Sequence, residues 1–132
     1  MNLTKYSKNK LMSSLAKYEV DKDYAEPIYN YLVFGFEPGS FFTSVLANDF
    51  TDAISRSHPA NSIPALKKLV CWIVNELPEG ITHGTYEVVD AWLTMPALER
   101  RTVLEQRRLI YTEKEEIIMV LKDEKTQEPF FW

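Results

Sequence analysis

A single cysteine, Cys71, cannot close an internal disulfide or build a multi-cysteine zinc site. Glycine is scarce as well: four residues in 132 leave little material for a phosphate-cradling loop, and neither GxGxxG nor HExxH occurs. No apolar run approaches the roughly 20 residues of a membrane-spanning helix, so no membrane contact is expected. Met1-Asn2-Leu3-Thr4-Lys5 opens no apolar signal core, so the expected location is the cytoplasm. A basic excess is missing too, since 15 Lys and Arg face 19 Asp and Glu for a net charge of -4. Duplex-binding proteins carry a basic face, and this composition disfavours nucleic acid as a partner.

What the chain does have is core material. Hydrophobic residues make up 45% of it and aromatics 13%, enough for one domain over residues 1–132. Charge is unevenly spread. Residues 1–22 hold five Lys against Glu19 and Asp21, whereas residues 23–98 hold nine acids against Arg56, Lys67 and Lys68. The body is acidic and the N-terminal arm basic.

Periodicity predicts a mainly α protein: a compact bundle of about five helices with a small C-terminal β-hairpin or a helical continuation. In the Lys-rich 1–22 segment, Leu11, Leu15 and Tyr18 permit a short helix or a loose arm. A helix from near Pro27 should stop at Gly35, which accepts the left-handed conformation. Pro38-Gly39 should turn the chain and Ser40 cap a helix running to Ser55, with Phe42, Leu46, Phe50, Ala53 and Ile54 as its buried stripe. Asn61 or Ser62 should cap the next helix, whose stripe is Leu66, Leu69, Val70, Ile73 and Val74. Trp72 lies off that stripe and needs a neighbour. Thr85 should cap a short helix carrying Tyr86, Val88, Val89, Trp92 and Leu93, and Thr94 the helix from Ala97 to Arg108. In residues 113–132, Ile117 to Leu121 and Pro129 to Trp132 could pair as a hairpin, while Glu113 to Glu116 favour helix.

Four groups are candidates for chemistry. Asn48, Asp49 and Asp52 fall within one turn, and His58 and His83 are the only imidazoles. Such a set could hold a metal or move protons, or be a solvated face with Asp49 as a cap. Cys71 has no visible His partner and reads as a small packing residue. No cofactor, metal or catalytic residue is expected. Arg100, Arg101, Leu104, Arg107, Arg108 and Tyr111 recur at helical spacing. They read either as a solvated strip with Glu99 and Glu105 or as a partner-binding surface, since Arg and Tyr often anchor interfaces. Phe130, Phe131 and Trp132 end the chain on three rings that fold back or dock into another chain, a second copy included.

The order Gly35, Pro38-Gly39-Ser40-Phe41-Phe42, Val45-Leu46, Asn48-Asp49, Ala53, Arg56, Asn61, Leu66, Val70, Trp72, Asn75, Pro78, Gly84, Val89, Trp92 resembles a group of small, uncharacterised phage and prophage proteins over about residues 27–93. Thr82-His83-Gly84-Thr85 stands where that group has a Trp-Gly-Ser-like step. No catalytic residues come with the resemblance. It implies a non-enzymatic protein of the host cytoplasm that inhibits a host factor by steric occlusion, for example a CRISPR-type defence complex (an anti-CRISPR). A nucleic-acid accessory protein and a small metal- or ligand-binding enzyme are the alternatives.

Overall fold

Gly35, the residue expected to end a helix, does so with φ 66° and ψ 32°, and much of the architecture is organised around that point. The computed structural model of the chain describes residues 5–57 and 62–107. Among these, seven α-helices succeed one another: α1 (Lys5–Lys17), α2 (Ala25–Tyr29), α3 (Ser40–Leu46), α4 (Phe50–Arg56), α5 (Ile63–Glu76), α6 (Tyr86–Thr94) and α7 (Ala97–Gln106). A 3-10 turn, Lys22–Tyr24, leads into α2, and a π-helical stretch, Asn30–Phe34, continues it. The chain is thus mainly helical and compact, as its periodicity indicates. The hairpin or helix expected over 113–132 lies outside the described residues, as do Arg108, Tyr111, Phe130, Phe131, Trp132 and His58.

The run expected to form one helix over 40–55 forms two. Asn48 takes a left-handed conformation, φ 61°, and breaks the helix there. Asn tolerates that region better than other side chains because its short amide can bond locally. Asp49 then caps α4 by accepting the Asp52 amide at 3.2 Å. The break turns α4 onto a new axis. Phe42, Leu46 and Ala53 are buried, but Phe50 and Ile54, expected inside, are 40% and 49% exposed. The cap of α3 is Gly39 rather than Ser40, and Pro96 rather than Thr94 precedes α7. Ser62 and Thr85 cap α5 and α6 as expected, accepting from Ala65 and Val88 at 3.2 Å each.

The core is built around large rings with anchored polar ends. Trp72, fully buried, finds its neighbour in α1: its indole N–H donates to Ser14 Oγ at 2.9 Å. Trp92 donates to the Tyr31 carbonyl at 3.0 Å, and the Tyr31 hydroxyl to the Thr82 carbonyl at 2.7 Å. A buried ring with an unmet N–H or O–H would lose much of what its burial contributes. The internal gap among Ile28, Tyr31, Phe42 and Trp72 is only about 10 Å³, no more than one water needs. α1 docks through Leu11 and Leu15, with Tyr18 donating to Glu76 at 2.9 Å. No helix among the described residues is long and apolar enough to cross a membrane.

The arginine strip is corrected by α7. Ala97, Arg100, Arg101 and Leu104 are its buried residues, with Arg101 and Leu104 at 1% and 0% exposure. Arg100 turns inward to the end of the π-helical stretch. Its Nε donates to the Val33 carbonyl at 3.4 Å, its Nη2 to the Phe34 carbonyl at 3.1 Å, and its Nη1 to the Met95 carbonyl. A helix end leaves carbonyls without intrahelical partners and carries a partial negative charge, so a guanidinium suits it. Arg100, Arg101 and Leu104 are therefore internal, and of the described strip residues only Arg107 is exposed.

Candidate functional site

The densest polar geometry lies where α3, α4 and the start of α6 meet. The turn at Asn48 folds α4 back against α3, which brings Ser44 and Asp52, eight residues apart, into contact. Ser44 Oγ reaches both the Ser40 carbonyl at 3.0 Å and the Asp52 carboxylate. It has one proton to give, and the carboxylate is the stronger acceptor. Arg56, one turn on, donates its Nε to the same Asp52 oxygen at 2.8 Å. The Ser44 hydroxyl first, and then Arg56, hold the Asp52 carboxyl below the usual carboxylate range, with partial desolvation opposing them.

Asp49 uses both of its oxygens. One caps α4, and the other accepts the Tyr86 hydroxyl at 2.7 Å, tying the N-terminus of α4 to that of α6. Tyr86 is the first residue of α6. The same bond is the largest cause of its phenol titrating above the ordinary range. The ring stays 43% exposed.

Between these groups is an open cleft of about 210 Å³, well above the roughly 10–15 Å³ that one water needs. It is lined by Glu37, Ser40, Thr43 and Ser44 together with Asp52, Arg56 and Tyr86. Glu37 and Asp52 outnumber Arg56, so the lining is net negative. A second cleft, about 370 Å³, lies between the 19–24 turn and the start of α5. There Glu19 pairs with Lys68 at 3.0 Å and Ser62 is committed to its cap.

Of the acid-and-imidazole set, Asp49 and Asp52 meet in this cleft region, while His83 is separately buried at 2% exposure. Burial lowers its imidazole pKa, with nearby Glu79 working the other way, and its Nδ1 is 3.3 Å from Thr82 Oγ1. Among the described residues no three His, Cys, Asp or Glu side chains gather to hold a metal. Ser44 is 2% exposed, and the carboxylate it bonds is also engaged by Arg56. What this arrangement suits is holding a cation: carboxylates and an aromatic ring lining one cleft.

Sequence reasoning found Asp49 and Asp52 but missed Glu37, Ser44, Arg56 and Tyr86 as their companions. The legible signal was the Asp52–Arg56 spacing of four, which favours an ion pair on a helix. Tyr86 had none, because its partner is 37 residues away. No protein-family model, curated protein or solved structure matches the chain.

Proposed function

We propose that this chain is a phage- or prophage-type binding protein that inhibits a host factor by steric occlusion, with a CRISPR-type defence complex as the first target class to test. The resemblance over residues 27–93 supports the phage context. The binding surface in this reading is not the arginine strip, whose core is internal, but the face formed by α4 and the start of α6.

The observation that carries the reading is Tyr86, a half-exposed ring held by Asp49 at the wall of an acidic cleft. Around α4, Phe50 and Ile54 share one flank of the buried Ala53, and Asp52 and Arg56 share the other, each pair four residues apart. The half-exposed Tyr86 ring set among Asp52, Arg56 and Glu37 has the composition of a protein interface. The acidic lining favours a basic protein surface over a phosphate backbone.

The test is recovery of the tagged full chain from a bacterial host at low and high salt. One protein complex in stoichiometric amount, surviving high salt and lost with Tyr86→Ala at unchanged melting temperature, is the expected result. Recovery of nucleic acid alone, and only at low salt, would overturn it. For the anti-defence part, expression of the chain should raise plaque formation by a phage on a host with an active defence system, and no change across such systems would refute that part.

A further inference from the structure

The Tyr86 cleft has the parts of a receptor for one particular group. Asp52 already accepts a guanidinium N–H, that of Arg56, at 2.8 Å. Both Arg56 and Ser44 use its Oδ2, leaving Oδ1 unengaged among the described residues. Glu37, which lines the same cleft, is exposed and makes no hydrogen bond or ion pair among the described residues. Tyr86 adds an aromatic ring whose hydroxyl is held by Asp49, and cations can stack on aromatic faces. An anion would meet both acids, and the one cation of the lining, Arg56, is neutralised by Asp52. Lysine offers a compact, strongly hydrated charge, whereas a planar guanidinium can bond separate carboxylate oxygens while lying against an aromatic ring.

We infer that this cleft receives the guanidinium of an arginine side chain presented by a basic protein partner. The inference rests on the binding-protein reading and names the group by which the partner is recognised. Arg56 then acts as an internal competitor for Asp52, displaced or shared when the partner's arginine enters.

The experiment uses the isotope-labelled full chain titrated with acetyl-Gly-Arg-Gly-amide, with the Lys and citrulline versions, and with inorganic phosphate. The arginine peptide should move the amide signals of Ser40, Ser44, Asp52 and Tyr86. Citrulline, nearly isosteric and uncharged, should bind about tenfold more weakly for loss of charge-assisted bonds. Glu37→Gln, at an exposed position, should weaken binding several-fold with the rest of the spectrum unchanged, and Arg56→Ala should tighten it. Equal shifts with citrulline, shifts confined elsewhere, or phosphate binding abolished by Arg56→Ala would each overturn the assignment. A chain that captures a host protein through Tyr86 but ignores the arginine peptide would refute this pocket and keep the binding function. Peptide binding at the cleft without any host capture would support the pocket and refute the host-factor reading.

Discussion

The guanidinium of Arg100 occupies the space that a side chain on Gly35 would need. A Cβ built on Gly35 would stand 2.8 Å from both Cζ and Nη1 of Arg100, and Gly35 has φ 66° as well. Two demands meet at one residue: a left-handed backbone and a vacant face for a cation from α7. Gly35→Ala should therefore destabilise by about 2–4 kcal/mol, through the left-handed penalty and displacement of the buried charge. Arg100→Met should cost a similar amount by leaving carbonyls of Val33 and Phe34 unmet, and Arg100→Lys should not restore it, because an ammonium lacks the planar fork. Urea unfolding midpoints of the three variants check this; a wild-type midpoint for Gly35→Ala would refute it.

Asn48 offers the opposite sign at a similar backbone. It is exposed with φ 61°, so Asn48→Gly should be neutral or stabilising by a few tenths of a kcal/mol. Asn48→Val should cost about 1–2 kcal/mol. Thermal melts of the pair decide whether the α3–α4 corner is held by that one dihedral.

Asp49 has two jobs that substitution can separate. Asp49→Ala removes the α4 cap and should cost about 1 kcal/mol, and it should also free the Tyr86 hydroxyl. Asp49→Asn keeps an acceptor for the cap and should retain most of the stability. Spectroscopic titration of Tyr86 should show its phenol falling back toward the ordinary range in Asp49→Ala, since that carboxylate is the main cause of its raised value.

Stability should decline in two separate pH windows. The folded His83 imidazole titrates below its ordinary value of 6.5, so the unfolded chain takes up that proton first. The contribution is complete above about pH 6.5 and is lost as pH falls toward the folded value, with a slope of at most about 1.4 kcal/mol per pH unit. His83→Asn should flatten this window. Asp52, also lowered, contributes above the unfolded carboxylate range and loses that contribution as pH falls through its folded value. Ser44→Ala should narrow that acidic window while leaving the His83 one in place. Urea unfolding from about pH 2 to pH 8 measures both.

Helix identity and most helix ends were legible because they are local. Ser62 and Thr85 cap through amides three residues ahead, and Gly35 stops its helix through its own φ. The inward face of α7 was written in the chain too, since 97, 100, 101 and 104 have core spacing. Two of those positions are arginines, and nothing local says that a charge at core spacing has carbonyls waiting for it. For Arg100 those carbonyls belong to residues 66 and 67 positions earlier. The same holds for Tyr86 and Asp49.

By itself, then, the sequence determined a helical chain, the stop at Gly35, the caps at Ser62 and Thr85, and an acidic body, all set by short-range sterics and composition. Only the tertiary structure decided which charges are internal, which apolar side chains of α4 remain exposed, and that Glu37, Ser44, Asp52, Arg56 and Tyr86 share one cleft. Those outcomes depend on contacts between distant parts of the chain, and at the cleft on how a single left-handed residue, Asn48, turns one helix against another.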